Sequence, residues 1–180
     1  MVRVARQAAC ADRAQRVVVA TDAAEIEESC RAHGVEAVRT RPDHPSGTDR
    51  IAEAAQLLKA SQVINVQGDE PFIDPRDIDA IAAALSTGAP LASLRTPIES
   101  DNEYRDPNVV KVVCDDQNRA LYFSRSPIPH GLSTETIKAH AYRHIGVYGY
   151  GADALRQWTQ APKHALEQVE RLEQLRALAM

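Results

Sequence analysis

Val63-Ile64-Asn65-Val66-Gln67-Gly68-Asp69-Glu70-Pro71 opens as a short apolar run and ends in a glycine, two carboxylates and a proline. The run is too short for a helix and is bounded by turn formers, which suits a buried strand. Upstream, Arg16-Val17-Val18-Val19-Ala20-Thr21 repeats the pattern, and Val35 to Val38 repeats it again. Helical periodicity separates the runs: residues 2 to 14, then a segment from Asp22 to His33-Gly34, then one from Thr48 or Asp49 to about Lys59. Asp22 with Glu25 has capping-box spacing, and Gly34 supplies a left-handed stop. Strand, helix and strand in repeated order predict an α/β fold with a mostly parallel sheet. Ligands bind such sheets at the carboxyl ends of the strands, which directs attention to Thr21-Asp22, residues 40 to 47 and residues 67 to 71.

The second half changes character. After a helix near 75 to 86, Leu91 to Pro97 reads as a strand. Val109 to Cys114 and Ala120 to Ser124 flank Asp-Asp-Gln-Asn-Arg as an antiparallel hairpin. A further strand spans Tyr142 to Tyr150, with helices near 151 to 160 and 164 to 179. No repeat or linker interrupts the chain, so residues 1 to 180 are expected to form a single domain.

Composition sets the outer limits. The chain has 180 residues, 44% of them hydrophobic and 26% charged, which is ordinary globular usage. The net charge of −4 argues against a nucleic-acid coat, so an anionic ligand needs a local basic pocket. No apolar run reaches the ~20 residues of a membrane span. Arg3, Arg6, Asp12, Arg13 and Arg16 interrupt what would be the apolar centre of a signal peptide. Cys10, Cys30 and Cys114 lack disulfide or zinc spacing and read as buried thiols of a cytoplasmic protein.

Several segments carry chemistry. Asp69 at a strand end, after a glycine that admits a ligand to the backbone, suits a divalent cation beside phosphates; capping of the next helix is the alternative. Arg39 to Arg50 holds three arginines, a histidine, two prolines and Ser46-Gly47-Thr48 before a helix. Backbone N–H groups there suit acceptors on a base or phosphate; a rigid solvated loop with Ser46 or Thr48 as cap is the alternative. Ser124-Arg125-Ser126-Pro127 holds a cation in stiff context, fit to clamp a carboxylate. Along Tyr142 to Tyr150, His144, Gly146, Tyr148 and Tyr150 share one face, which could line a polar pocket or simply pack. Glu167, Glu170 and Glu173 with Arg171 and Arg176 read as a solvated helix face, and Trp158 as a core or interface residue. The motifs of dinucleotide, P-loop, zinc-protease and serine-hydrolase chemistry are absent.

Taken together, Val19-Ala20-Thr21-Asp22, Thr40-Arg41-Pro42-Asp43-His44-Pro45-Ser46-Gly47-Thr48-Asp49-Arg50, Asn65 to Pro71, Pro107 to Val113, Ala120 to Arg125, Arg143 to Tyr150 and Leu172-Glu173-Gln174-Leu175-Arg176 strongly resemble the 3-deoxy-manno-octulosonate cytidylyltransferase (CMP-Kdo synthetase) family. Seven blocks in order span nearly the whole chain. The resemblance implies a Rossmann-like nucleotide-diphospho-sugar transferase fold. It implies transfer of CMP from CTP to the sugar acid Kdo, with Mg²⁺, for lipopolysaccharide synthesis in the cytoplasm, by a homodimer that needs neither nucleic acid nor membrane.

By the same resemblance, Asp69 binds the metal and, with Gln67, belongs to the catalytic centre. Arg41, Ser46, Gly47 and Thr48 match the segment around the cytidine. Gln67, Arg125, His144, Tyr148, Glu173 and Gln174 match the Kdo pocket. Family members begin with a strand and a basic loop that cradles the triphosphate, and continue past Leu-Glu-Gln-Leu-Arg to a second metal-binding aspartate. Both pieces are expected to lie outside residues 1 to 180, leaving the fold incomplete at both termini and this chain with little transferase activity of its own. A sialic acid-type cytidylyltransferase and a non-catalytic nucleotide-sugar binding remnant are the alternative readings.

Overall fold

A computed structural model describes residues 1–180 and contains both helices and strands. The chain forms two compact units, Met1–Ser93 with Gly146–Thr159 and Leu94–Ile145 with Gln160–Met180. Along the chain the elements are α1 (Val2–Ala8), β1 (Val19–Thr21), α2 (Ala24–Ala32), β2 (Ala37–Arg39), α3 (Gly47–Leu58), β3 (Gln62–Asn65), α4 (Pro75–Ser86) and β4 (Leu91–Pro97). There follow α5 (Asp101–Arg105), β5 (Lys111–Cys114), β6 (Ala120–Ser124), α6 (Ile137–His140), β7 (Tyr142–Gly151), α7 (Ala152–Gln160), α8 (Ala165–Glu170) and α9 (Gln174–Leu178).

In the first unit β1 and β2 pair in parallel, with Val19 opposite Ala37 and Thr21 opposite Arg39. Ala5, Val19 and Cys30 form the buried core beneath them, with Val2, Val17, Ile26, Val35 and Ala37 packed around. Each large apolar side chain buried in this way contributes about 1.5–3 kcal/mol. β3 does not extend this parallel pair. It runs antiparallel to the end of β7, Asn65 opposite Tyr148 and Gln62 opposite Gly151. A Cβ on Gly149 would come within 2.3 Å of the Ile81 Cγ2, so the missing side chain lets α4 lie directly on β7. Ile81 and Leu85 are buried as a result.

In the second unit β5 and β6 form the antiparallel hairpin expected from the sequence, Lys111 opposite Ser124 and Val113 opposite Tyr122. Asn118 turns it with φ +61°, a conformation that asparagine tolerates. Lys111 also pairs with Arg143 of β7. Val112, Phe123, Leu172 and Leu175 form one buried cluster. Ile98, Tyr104, Ile137 and Ala141 form another. The short helices α5 and α6 carry too little periodicity to be read from the sequence.

Several local expectations are corrected. The first helix ends at Ala8 rather than running to residue 14, because the Asp79 carboxylate takes the backbone N–H groups of Asp12 (3.2 Å) and Arg13 (2.8 Å). Asp22 does not cap α2; the cap position falls at Ala23, whose N–H goes to Thr21 Oγ1, while Asp22 pairs with Arg50 at 3.3 Å. Of the caps expected, Ser46 caps α3, accepting from Asp49 N at 3.2 Å, and Thr48 and Asp49 do not. Residues 164–179 are two helices, broken at Arg171 with φ +56°. Cys10 is exposed and Cys114 half-buried, so only Cys30 is the buried thiol expected. Trp158 lies in the core as expected.

Candidate functional site

The segment from Thr40 to Thr48 is held from inside by α3. Glu53 accepts from the Arg41 backbone N–H at 3.0 Å and is hydrogen-bonded to the His44 ring. The His44 contact, followed by the Arg41 N–H, holds the Glu53 carboxyl below its ordinary range. Arg50 donates to Thr40 Oγ1 at 2.7 Å and to the Arg41 carbonyl at 3.3 Å. With both ends anchored, the Arg41 side chain stays exposed, 3.9 Å from Asp43 and 3.8 Å from Glu53. Gly47 presents bare backbone at the first turn of α3, with nothing within 4 Å of a Cβ position. A helix N-terminus with an arginine beside it, anchored through its backbone, suits an anionic or acceptor-rich ligand. Arg41, Ser46, Gly47 and Thr48 are thus brought together. Glu53 and Arg50, which hold them, were missed because their contacts cross from helix to loop.

Beyond β3, Gln67 and Asp69 lie exposed in a turn closed by Glu70 N to Gln67 O at 3.2 Å. Asp69 does not cap the next helix. Asp74 does, accepting from Arg76 N at 2.9 Å, with Pro75 in the first turn. Arg76 holds the Asp74 carboxyl down at about 2. No hydrogen bond or ion pair occupies the Asp69 carboxylate, and no three His, Cys, Asp or Glu side chains gather into a protein cage for a metal. Such an open carboxylate fits Mg²⁺, which typically takes one or two carboxylates and completes its shell with waters and substrate phosphates. The side chain of Met1 lies over Gly68, where a Cβ would come within 2.4 Å of its Cε.

In the second unit, β6 delivers Ser124 and Arg125 to the end of α8. Glu170 accepts from Ser124 Oγ at 2.6 Å and from Arg125 N at 2.9 Å. The Arg125 guanidinium donates to the carbonyls of Glu170 (2.9 Å) and Pro107 (2.9 Å), with that of Arg171 at 3.5 Å. His144 packs edge-on against Phe123, centroids 5.0 Å apart, and its Nδ1 lies 3.4 Å from the Gln174 amide. Burial pulls its pKa down to about 4, so the ring is neutral near pH 7. Gln174 is buried, whereas Glu173 is exposed at the start of α9.

The expected solvated face of the last helix is solvated only in part, at Arg171 and Glu173. Glu167 and Arg176 form a buried pair, and Glu170 serves Arg125. Tyr148 stands in the first unit, stacked on Tyr150 at 6.1 Å and edge-on to Trp158 at 6.4 Å. Tyr142 packs under the Arg95 guanidinium at 4.0 Å.

Known proteins resemble this chain along its length. A family model described as Cytidylyltransferase matches residues 1–180. The 3-deoxy-manno-octulosonate cytidylyltransferase of Acidovorax sp. (strain JS42) is 48% identical over 196 residues, covering 99% of this chain and 74% of that protein. That of Syntrophotalea carbinolica is 47% identical over 181 residues, covering 96% and 71%. A solved CMP:2-keto-3-deoxy-manno-octonic acid synthetase complexed with CTP superposes with a TM-score of 0.92 at 41% identity, covering 98% of this chain and 73% of that one. The chain belongs to the 3-deoxy-manno-octulosonate cytidylyltransferase family of cytidylyltransferases.

Proposed function

We propose that the residues of this chain serve the nucleotidyl transfer after which its relatives are named, joining CMP from CTP to Kdo with release of pyrophosphate, and that the chain by itself turns over little. The anomeric oxygen of Kdo attacks the α-phosphorus, the bond from that phosphorus to the bridging oxygen of the β-phosphate breaks, and the hydroxyl proton passes to solvent. What carries the reading is similarity along the whole chain, 48% identity over 99% of its residues.

The geometry supports a division of labour. Arg41 and the Ser46-Gly47-Thr48 turn receive the nucleotide, with Glu53 and Arg50 keeping their loop in one conformation. Arg125 receives the carboxylate of the sugar acid, since its guanidinium contacts are all neutral carbonyls and its charge remains unpaired. His144, neutral and backed by Phe123 and Gln174, offers a fixed donor or acceptor to a sugar hydroxyl, and Glu173 offers a carboxylate acceptor from the start of α9. Tyr148 offers a phenol, and Gln67 an amide next to the metal turn. Asp69 would hold Mg²⁺, which when bound supplies charge neutralisation for the phosphates. The same reading has the protein act as a cytoplasmic homodimer supplying lipopolysaccharide synthesis.

Calorimetry with CTP, Mg²⁺ and Kdo tests recognition, and pyrophosphate release tests transfer. Binding of both substrates with slow Kdo-dependent release supports the reading. Binding without release removes the transfer step, and binding of sialic acid in place of Kdo removes the sugar assignment.

A further inference from the structure

Arg125 is held by a frame that neutralises none of its charge. A guanidinium has five N–H donors. Here they meet backbone carbonyls of three residues, Pro107, Glu170 and Arg171, drawn from two separate stretches of chain. No carboxylate stands within ion-pair distance of it. Glu170, the nearest acid in its surroundings, spends its two oxygens on Ser124 Oγ and the Arg125 backbone N–H instead. The Glu170 side chain therefore fixes where the backbone of residue 125 lies, while its carbonyl fixes where the guanidinium points.

The other wall of the frame has its own support. Lys111 has no exposed surface, and its ammonium donates to the carbonyls of Asp106 (2.8 Å) and Val109 (2.5 Å). Those two residues bracket the turn whose Pro107 carbonyl accepts from Arg125. A buried ammonium is costly unless it is fully hydrogen-bonded. Burial lowers the Lys111 pKa, and the neighbouring Arg125 charge lowers it further, whereas Asp106 and Glu170 raise it. A neutral side chain filling the same space would avoid that cost but would hold neither carbonyl.

We propose that Glu170 and Lys111 are positioning residues for Arg125, bracing its guanidinium from two sides so that an unpaired, pre-aimed charge meets the carboxylate of an acidic sugar. The inference rests on the assignment of the sugar carboxylate to Arg125. Pre-organisation of this kind acts on affinity for the acid group, because a clamp already in place loses less freedom on binding.

The test measures the affinity of the full chain for Kdo and, separately, for CTP with Mg²⁺, in the unaltered protein and in Arg125→Ala, Glu170→Ala, Glu170→Gln and Lys111→Met. Glu170→Ala and Lys111→Met are expected to weaken Kdo binding about tenfold while leaving CTP affinity within twofold. Glu170→Gln, which keeps one acceptor oxygen, is expected to recover part of the loss. Kdo affinity unchanged in Glu170→Ala and Lys111→Met but lost in Arg125→Ala overturns the bracing and leaves the Arg125 assignment standing. Kdo affinity unchanged in Arg125→Ala, or absent in the unaltered protein, overturns the assignment and the bracing with it. Equal loss of CTP and Kdo affinity marks a merely structural role and also overturns the proposal. Where Glu170→Ala does not fold, Glu170→Gln is read against the same outcomes.

Discussion

The Arg176 guanidinium meets the Glu167 carboxylate across the break between α8 and α9, Nε 2.8 Å from Oε2, with both residues less than a tenth exposed. Glu167 also accepts from the His164 N–H at 3.2 Å, so one carboxylate closes the start of α8 and ties α9 to it. Arg176 holds the Glu167 carboxyl below its ordinary range. Removing one partner leaves the other charge buried and alone, which typically costs about 3–5 kcal/mol. Glu167→Ala is therefore expected to destabilise the second unit by that order in denaturant unfolding, and the double variant Glu167→Met, Arg176→Met to lose clearly less than Glu167→Met and Arg176→Met added together. Additive losses would show that the pair contributes nothing as a pair.

Asp69 and Asp74 separate binding from folding. Asp69→Asn removes an exposed carboxylate with no internal partner, so the melting temperature is expected to stay unchanged while Mg²⁺-dependent CTP affinity falls. Asp74→Ala removes a helix cap and is expected to cost about 1 kcal/mol with CTP affinity retained. Thermal melts and calorimetry on the two variants check this, and a melting-temperature loss in Asp69→Asn would return that residue to a structural role.

His144 gives the protein an acid sensitivity of known sign. Its folded pKa of about 4 lies below the unfolded value of about 6.5, so the unfolded state binds more protons between those limits. The contribution is neutral above pH ~6.5, destabilises progressively as pH falls toward 4, and levels off below it, reaching at most about 3 kcal/mol. His144→Gln is expected to flatten the stability profile over that window. An unchanged slope between pH 6.5 and 4 would mean that the ring titrates as freely as in the unfolded chain.

Glu53 is expected to matter to the nucleotide without touching it. Glu53→Ala frees the Arg41 N–H and the His44 ring together and should weaken CTP binding roughly tenfold by loosening the loop, a loss of about 1.4 kcal/mol. Kdo affinity should be unaffected. Calorimetric titration of the variant with each substrate distinguishes this from general unfolding, which would lower both.

Local chemistry made much of the fold legible. The strand Leu91–Pro97 and the helix Pro75–Ser86 were read to the residue or nearly so, because each is bounded by turn formers or a cap. Gly34, at φ +68°, stops α2 as its sequence context requires. What stayed hidden depended on distant partners. Nothing near Arg13 says that its N–H will go to Asp79, and nothing near Asp22 says that Arg50 will claim it. The left-handed turn at Arg171 follows from the Glu167–Arg176 pair, which straddles it. At the site, Arg125, His144 and the Ser46 turn were legible as motifs, but Glu170 lies 45 residues from Arg125 and reads in sequence as an ordinary helix-surface acid.

Recognition of CTP and an eight-carbon sugar acid as separate ligands, the second through Arg125, is what we propose for this chain. The most direct measurement is calorimetric titration of the purified chain with Kdo in the presence of CTP and Mg²⁺, repeated with Arg125→Ala. Saturable binding of one Kdo per chain, lost in the variant and not displaced by sialic acid, is the predicted result. Kdo binding that survives Arg125→Ala, or displacement of Kdo by sialic acid, would contradict it.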